Sequence, residues 1–488
     1  MKSSPEQFDQ NPSSRLITPT GHLLHEQYMC MREKAMDVIL PDGLYMQEIQ
    51  KATGAWFEDR FPLESIDFSN YDEKAVRAKM LGLADFVRIN FPDAIPDQII
   101  HANELFIERS FGMFNDWKMG LRNPDSRAIS AFAVPMRAST ERDDYSREVK
   151  KPSARILDFL PGKYVGLACA GLPPLILDEF NSGNYLVLVP ILDDARIQAG
   201  DNPEKQLKAW ADAVNKTNDT IDFCHEYLGA TFIGEGAVIP RIMGYTSRVR
   251  NKNVISTTGH GGTVDLMIKK VLQSYDHDGI NIGVAGLGAI GLSVAKIVSQ
   301  RFEGANISIY DNREKALRNG YDQISQIGRK PEVAKEIVDL LRRSDVVISA
   351  ITEFVDLSNV DIDLSGVKII DDSEPRCFSP EQVASLGGKM TGVIGRDTKG
   401  IAVLKSYDYG GNFVQPNDGF GCGYEVETLA REYKENIEGG MSETEALEKA
   451  RKNAIQGPVD IEGAKRTGER FDKYEIVASP DQIDGRYT

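Results

Sequence analysis

The sequence predicts an α/β fold with a doubly wound parallel sheet, and three observations carry that prediction. An apolar stretch, Ile282–Ala285, runs into three glycines spaced as GxGxxG, and a helical segment, Leu292–Gln300, follows directly. A second apolar strand, Asn306–Tyr310, comes after that helix. Strands and helices then alternate to about residue 410, with a helix predicted near 331–343 and a further strand at 401–404. This alternation is typical of a right-handed parallel sheet of the Rossmann type.

The glycine-rich loop predicts a dinucleotide site. In such a loop the first glycine permits a tight turn, the second lets the backbone approach a pyrophosphate, and the third lets helix and strand pack closely. The start of the following helix offers free N–H groups to the phosphates. The alternative is a glycine-rich turn that holds no nucleotide. The residues assigned to the cofactor are Gly286, Leu287, Gly288, Ala289, Ile290 and Gly291.

The second strand ends on Asp311, 25 residues beyond Gly286. A carboxylate at this point suits the ribose 2′-hydroxyl of NAD and repels the additional phosphate of NADP. Asn312 and Arg313, which follow it, are the side chains that would contact a 2′-phosphate. The sequence therefore predicts NAD as cofactor, with NADP as the alternative.

A chain of 488 residues is too long for a single core, so two or three domains are expected. Residues 1–150 are predicted to form a mostly helical N-terminal extension, and the charged segment 140–152 at its end is predicted to be a linker. Residues 151–275 are predicted to form a substrate and catalytic domain, completed by the C-terminal segment. The nucleotide-binding domain is expected at 276–410, and the C-terminal segment at 411–488.

Composition restricts the partners and the compartment. The 57 Lys and Arg residues against 73 Asp and Glu give a net charge of −16, which argues against nucleic acid or an anionic membrane as the main partner. The sequence contains no run of 18 apolar residues, which is the length that a membrane-spanning helix needs. The N-terminus is polar and is unlike a signal peptide. Five cysteines without metal-type or disulfide-type spacing predict a cytoplasmic protein without a metal site. The expected partners are a small or carrier-bound substrate and further copies of the chain in a homo-oligomer.

Cys422 is the candidate nucleophile. It stands between two glycines in Phe420–Glu425, directly before a helical run. A helix N-terminus stabilises a thiolate and lowers the pKa of the thiol, which makes the sulfur more nucleophilic. The alternative is a small buried cysteine that fills a gap in the core.

The segment Ser256–Thr263, STTGHGGT, precedes another helix. Its hydroxyl groups and free N–H groups are suited to bind a carboxylate, a phosphate or a carbonyl oxygen, and Thr257 and Thr258 are assigned to the cofactor. His260 is the candidate general acid, because imidazole titrates near neutral pH. The alternative is a helix cap with a surface histidine.

Two charged segments have weaker functional interpretations. Asp371–Pro375 follows a strand at the sheet edge where ligands bind in this fold, but a solvated turn is the favoured interpretation. Four basic residues in an acidic chain could meet an acidic carrier or a phosphate group, although most such clusters are simply solvated. They are Arg241, Arg248, Arg250 and Lys252.

Together these segments resemble the aldehyde-forming acyl-[acyl-carrier-protein] reductases of the cyanobacterial type. The landmarks occur in the same order over about residues 205–475: a helix with GATFIGEGAVIP, then STTGHGG, the nucleotide fold, FGCGYEVETLA, and a late helix from Ile461 to Phe471. The resemblance does not reach residues 1–150. It implies that Cys422, which matches the family's nucleophile, accepts the acyl group.

The chain departs from that family in three ways. Its glycine loop is a plain GLGAIG, where the family's spacing is usually different by one residue. It carries Asp311 where the family, which prefers NADPH, has an arginine. Its loop reads TTGH in place of a TTGN-type sequence, which implies a substrate other than a long fatty chain.

The leading hypothesis is an NAD(P)H-dependent reductase that converts an acyl thioester to an aldehyde through an acyl-enzyme on Cys422. The second is an amino-acid dehydrogenase of the glutamate or leucine type, which also places a TG-x-G helix before its nucleotide domain. That hypothesis needs a lysine in an upstream glycine-rich loop, whereas Gly387-Gly388-Lys389 lies within the nucleotide domain. The third is a non-enzymatic NAD-binding protein, in which the cysteine loop would have no purpose.

Overall fold

A computed structural model of the chain describes residues 67–90, 97–121, 129–136, 171–192, 203–274, 279–351, 353–373, 376–400, 402–405, 413–483 and 486–488. The linker predicted at 140–152 lies outside these residues. The helices are α1 Glu73–Asn90, α2 Asp97–Lys118, α3 Pro203–Phe223, α4 Ile239–Ile242, α5 His260–Ser274, α6 Ala289–Arg301, α7 Glu314–Gln326, α8 Ile337–Arg343, α9 Pro380–Ser385, α10 Gly421–Glu438, α11 Glu443–Asn453 and α12 Ile461–Tyr474. The strands are β1 Ser130–Met136, β2 Leu175–Glu179, β3 Tyr185–Leu192, β4 Phe232–Glu235, β5 Ile255–Thr257, β6 Asn281–Ala285, β7 Asn306–Tyr310, β8 Glu332–Val333, β9 Val346–Ser349, β10 Lys368–Asp371, β11 Lys389–Gly392, β12 Ile394–Asp397, β13 Asp418–Phe420, β14 Ile476–Ala478, β15 Gln482–Ile483 and β16 Arg486–Tyr487.

The nucleotide domain contains a six-stranded sheet in the order β11-β10-β9-β6-β7-β8. Every neighbouring pair is parallel. Counted along the chain, this is the strand order 3-2-1-4-5-6 of the Rossmann fold, so the predicted fold class is confirmed. The order reverses between β6 and β9, which is where a ligand binds in sheets of this kind. The glycine loop leaves β6 at that point.

Two local predictions in this domain are wrong. The helix expected at 331–343 is the short edge strand β8 followed by α8, because a two-residue strand is too short to show a period of two. The strand expected at 401–404 is reduced to an isolated bridge between Leu404 and Phe180 within the described residues. β12 follows β11 in the chain but belongs to a separate three-stranded sheet, in which it pairs antiparallel with β13 and β14.

The second domain is built on a five-stranded sheet in the order β2-β3-β1-β4-β5. β1, β3, β4 and β5 run parallel, and β2 is an antiparallel edge strand. The central strand β1 lies inside the segment 1–150 that we predicted as a helical extension. That description is therefore incomplete, because the segment supplies the strand around which the substrate-domain sheet forms.

The N-terminal helices pack onto this domain through aromatic rings. Phe68 lies 4.6 Å from Phe223 and 5.1 Å from both Phe111 and Phe114, measured between ring centroids. The aromatic rings join α2 to the end of α3 and bury a large apolar area. No helix among the described residues is long and apolar enough to cross a membrane.

The C-terminal segment returns to both sheets. α10 packs on β1 and β4, and its buried Glu427 accepts a hydrogen bond of 2.7 Å from the hydroxyl of Ser130. α12 packs on α5. Farther along, the backbone N–H of Gln482 donates to the hydroxyl of Thr391 on the nucleotide sheet at 3.2 Å. The last residues therefore bind to the nucleotide domain as well as to the substrate domain.

Candidate functional site

The carboxyl ends of the two parallel sheets meet at one place. Cys422, at the start of α10, packs against the loop after β5, and the charge of Asp372, which follows β10, acts on its thiol. Tyr245 lies in the loop between β4 and β5, and the charge of Arg313, which follows β7, acts on its hydroxyl. Residues that follow strands of both sheets therefore lie close together, at the edge where ligands bind in folds of this kind.

The glycine loop is sterically suited to a pyrophosphate. Gly286 adopts a φ of 86°, and a Cβ atom there would lie 2.6 Å from the carbonyl oxygen of Ala350. A Cβ atom on Gly291 would lie 1.8 Å from the carbonyl oxygen of Gly286, so helix and loop touch at this point. Gly288 caps α6, and a Cβ atom there would have no neighbour within 4 Å. The backbone at Gly288 is therefore open to a ligand.

Asp311 is buried and ionised beside the glycine loop. Its Oδ2 atom accepts a hydrogen bond of 2.7 Å from the backbone N–H of Leu287, and its Oδ1 atom accepts one of 2.9 Å from Nε of Arg313. Burial alone would raise the pKa of Asp311, but these hydrogen bonds outweigh it and lower the pKa. The side chain of Asn312 is exposed and donates to Glu353 at 3.0 Å. The carboxylate therefore anchors the glycine loop and is also paired with the guanidinium group of Arg313.

Cys422 and the STTGHGGT loop are in direct contact. A Cβ atom on Gly259 would lie 2.2 Å from the Cβ atom of Cys422, and one on Gly262 would lie 2.1 Å from the carbonyl oxygen of Gly421. Only glycine permits this approach of α5 to α10, and Gly259 also has a φ of 72°. The sequence predicted both segments as site elements, and the structure brings them together.

The thiol of Cys422 is not activated as the sequence suggested. Burial, together with the charges of Asp372 and Glu425, raises the pKa of the thiol to about 12. A hydrogen bond from the backbone N–H of Gly423 at the helix start opposes this effect only in part. The expectation of a lowered pKa was therefore wrong, because the helix N-terminus is outweighed by lost solvation and by two carboxylates.

His260 is also in a different protonation state from the one expected. Burial lowers the pKa of its imidazole to about 4, so the ring is neutral at neutral pH and is a poor general acid. The Nδ1 atom is buried without a hydrogen-bond partner among the described residues. The ring contacts the ring of Tyr245 edge-on, with 5.9 Å between centroids.

Thr257 and Thr258 are buried and form hydrogen bonds within the protein. The hydroxyl of Thr257 donates to the carboxylate of Glu425, and the backbone N–H of Thr258 donates to the carbonyl of Ile455 at 2.8 Å. Glu425 also accepts the backbone N–H of Gly262 at 2.8 Å, at the start of α5. The helix start that we expected to bind a ligand is therefore occupied by a carboxylate from α10.

The two charged segments differ from their sequence interpretation. Asp371 is fully buried and accepts the hydroxyl of Ser373 at 2.6 Å, so it organises the loop after β10 and is not part of a solvated turn. Arg248 lies over the ring of Trp210 and donates to a backbone carbonyl, and Arg250 pairs with Asp219. Two of the four basic residues, Arg248 and Arg250, thus make contacts within the protein. These contacts weaken the assignment of the cluster to an acidic carrier.

Three site residues were missed by sequence reasoning. Glu235 ends β4 and is buried, Tyr245 packs on His260, and Glu425 joins α10 to α5. Glu425 follows Cys422 by three residues on the same helix, so its helical spacing was a usable signal. Glu235 and Tyr245 gave no comparable signal, because their positions depend on strand pairing and on a loop.

No protein-family model matches the chain, and no curated protein matches it. Among solved structures, L-tryptophan dehydrogenase from Nostoc punctiforme is similar over 72% of this chain and 89% of its own, at 11% identity and a TM-score of 0.30. A dipicolinate synthase protein from Bacillus halodurans is similar over 33% of this chain at 21% identity and a TM-score of 0.24. The dipicolinate synthase protein from Bacillus subtilis is similar over 37% of this chain at 19% identity and a TM-score of 0.25. This chain covers 56% and 60% of the length of those two synthase proteins.

Proposed function

We propose that this chain is an NAD(P)H-dependent oxidoreductase that reduces an acyl thioester, carried by an acyl carrier protein or by CoA, to an aldehyde. The observation that supports this proposal is the position of Cys422. Its sulfur stands at the start of α10, against the loop that carries His260 and beside the carboxyl edge of the nucleotide sheet. A nucleophile at that junction is within the same cleft as a dinucleotide on the glycine loop.

The residues that would hold the cofactor fit a dinucleotide. The open backbone at Gly288 leaves room for the pyrophosphate, and Asp311 stands at the end of β7, where the adenosine ribose binds in this fold. When bound, the nicotinamide supplies a hydride. Thr257 and Thr258 are left out of the proposed contacts, because both are held by the C-terminal segment.

In the proposed reaction the chain first forms an acyl-enzyme. The sulfur of Cys422 attacks the thioester carbonyl, its proton passes to the departing carrier thiol, and the carrier leaves. Backbone N–H groups at the start of α10 are suited to stabilise the negative charge on the carbonyl oxygen. Because the free thiol has a raised pKa, its proton must leave in concert with the attack.

Mass spectrometry of the protein, before and after digestion to peptides, tests this function. Incubation with a series of acyl-CoA and acyl-carrier thioesters, without cofactor, should add the mass of one acyl group to the peptide that contains Cys422. Adding NADH or NADPH should remove the adduct and release an aldehyde. An enzyme that consumes NAD(P)H with a thioester while its cysteine stays unmodified throughout would refute the covalent route.

The raised pKa of Cys422 favours one other candidate, an oxidoreductase that works without a covalent intermediate. An amino-acid dehydrogenase is the form that the sequence suggested. Ammonia-dependent oxidation of NADH in the presence of 2-oxo acids, with no dependence on any thioester, would support that candidate over the first.

Cofactor choice gives a prediction at Asp311. A 2′-phosphate beside this buried carboxylate would bring like charges together, at a cost of about 1–3 kcal/mol. We therefore expect kcat/KM to be about tenfold or more higher with NADH than with NADPH. Asp311→Ala should narrow that ratio, because it removes the repulsion and releases Arg313 to bind a phosphate.

The matched control for Asp311→Ala is Asn312→Ala. The Asn312 side chain is exposed and donates a hydrogen bond to the surface residue Glu353. Its loss should leave the ratio of the two kcat/KM values nearly unchanged. A wild-type protein that already prefers NADPH would show that Asp311 serves the loop and that Asn312 and Arg313 bind the ribose.

A further inference from the structure

Gln482 is a buried glutamine in the C-terminal segment, and each of its four polar atoms forms a hydrogen bond. Its backbone N–H donates to the hydroxyl of Thr391 at 3.2 Å, and that hydroxyl donates to its carbonyl oxygen at 3.3 Å. Its Oε1 atom accepts the backbone N–H of Val414 at 2.8 Å, and its Nε2 atom donates to the carboxylate of Asp418 at 2.8 Å. We refer to these four residues as the Gln482 cluster.

The Gln482 cluster joins the nucleotide sheet to the strand that precedes the candidate nucleophile. Thr391 lies on β11, an edge strand of the sheet that carries the glycine loop. Asp418 is the first residue of β13, and α10 follows β13 without a break. Cys422 is the second residue of α10. One buried side chain therefore links the domain that would hold the cofactor to the segment that holds the sulfur.

The carboxylate of Asp418 is itself held in one orientation. Its Oδ1 atom accepts Nε of Arg396 at 2.7 Å, and its Oδ2 atom accepts Nη2 of the same guanidinium group at 3.1 Å. The backbone N–H of Gln415 also donates to Oδ2, at 3.0 Å. A two-point pair of this kind fixes geometry as well as distance. The position of β13 therefore depends on directional contacts, to which Gln482 adds the one from the nucleotide sheet.

The immediate surroundings of the sulfur are held separately, by α5. The start of α5 packs against the start of α10, where a Cβ atom on Gly262 would lie 2.1 Å from the carbonyl oxygen of Gly421. Farther along α5, the ammonium group of Lys270 donates to the carbonyl of Ser479 at 2.8 Å, so the C-terminal segment stays anchored without the Gln482 side chain. Loss of that side chain should therefore shift β13 against the nucleotide sheet and leave the contacts of Cys422 with α5 in place.

A buried amide can control this distance better than an apolar side chain can. Glutamine is seldom fully buried, whereas an apolar residue would fill the same space. Apolar contact is non-directional, but hydrogen bonds constrain both distance and angle. A buried polar network in which every member is satisfied specifies a single arrangement. Gln482 therefore fixes the spacing between β11 and β13.

We propose that Gln482 is a positioning residue that sets the distance between the acyl group on Cys422 and the nicotinamide of the cofactor; this inference rests on the proposed function. Reduction needs the two reacting carbons about 3–3.5 Å apart. The hydride brings two electrons to the acyl carbon, the carbon–sulfur bond breaks, and the sulfur takes a proton from water as the aldehyde leaves. Attack of the sulfur on the thioester does not depend on this distance.

The experiment separates acylation from reduction in Gln482→Met, which keeps the length of the side chain and removes its amide. Acylation of Cys422 by an acyl-CoA is timed by mass spectrometry without cofactor, and NADH is then mixed with the preformed acyl-enzyme in a single turnover. The rate constant of reduction should fall at least about tenfold, because a shift of about 1 Å in a reacting group has effects of this size. The acylation rate and the NADH affinity should stay close to those of the wild type.

Gln415→Ala is the matched control on the same segment. The Gln415 side chain is exposed and donates to the hydroxyl of Tyr487 at 3.4 Å, while its backbone contact with Asp418 survives the substitution. Both rates should match the wild type. A second readout needs no cofactor: hydrogen exchange of the amides in 413–420 should quicken in Gln482→Met and not in Gln415→Ala, with the glycine loop unchanged in both.

Gln482→Glu tests the hydrogen bond to Asp418 by rescue. An ionised carboxylate at this position faces the carboxylate of Asp418, whereas a protonated one can donate to it and still accept from Val414. The rate of reduction relative to the wild type should therefore rise as the pH is lowered. A merely structural role would lower the fraction of protein that reacts, at an unchanged rate constant.

Equal losses of acylation and reduction in Gln482→Met, or no loss in either, would overturn the inference. In both cases the wild type still forms an acyl-enzyme that NADH reduces, so the proposed function stands. A wild-type protein that forms no acyl-enzyme with any thioester refutes the proposed function, and the role of Gln482 with it.

Discussion

Replacing Cys422 by serine is expected to lower kcat/KM for acyl thioester reduction by at least about a thousandfold. A hydroxyl is a far weaker nucleophile than a thiol. Among the described residues, no strong base is placed next to position 422 to remove the proton of the serine hydroxyl. NADH affinity, measured by fluorescence titration, should remain close to that of the wild type, because Cys422 is separate from the glycine loop. Turnover is measured as thioester-dependent oxidation of NADH.

The matched control is Cys377→Ser. The Cys377 thiol is buried in the nucleotide domain and donates to the carbonyl of Ile351 at 2.8 Å, and a serine hydroxyl can make the same hydrogen bond. Its activity should stay near the wild-type level. If Cys422→Ser retained turnover, the cysteine would be a packing residue of the contact with Gly259, and a non-covalent oxidoreductase would be the better description.

The nucleotide domain was predictable because its signals are local in sequence. The glycine spacing, the strands on either side and the terminal acid all lie between Asn281 and Asp311. The substrate-domain sheet was harder to predict. β1 pairs with β3 and with β4, about 55 and 100 residues farther along the chain, and a seven-residue apolar run does not reveal such partners.

The candidate site shows the same division between local and tertiary information. The sequence identifies Cys422 as a residue at the start of a helix, and this position is correct. The direction of its pKa shift could not be predicted, because Asp372 comes from another domain and burial depends on the whole fold. The neutral state of His260 likewise follows from tertiary burial. A motif alone therefore does not determine the protonation state of its residues, because that state depends on burial and on charges that folding brings next to the motif.

The glycine loop gives the second large expected effect. In Gly291→Ala the new methyl group would lie 1.8 Å from the carbonyl oxygen of Gly286, so either α6 or the loop has to move. We expect the free energy of unfolding to fall by about 1–3 kcal/mol, the usual cost of overpacking. NADH affinity should fall at least about tenfold, because the displaced loop carries the N–H groups that would face the pyrophosphate. Denaturant unfolding and fluorescence titration measure the two effects.

Gly288→Ala separates steric damage to the fold from loss of the ligand site. A methyl group on Gly288 would meet no protein atom within 4 Å, and the φ of −72° suits alanine. Stability should therefore match that of the wild type. NADH affinity should still fall, because the methyl group occupies the space through which a pyrophosphate approaches the backbone. Wild-type affinity in Gly288→Ala would mean that no pyrophosphate binds at this loop, whereas wild-type stability in Gly291→Ala would contradict the close contact between helix and loop. The pair of variants thus tests the nucleotide site without any knowledge of the substrate.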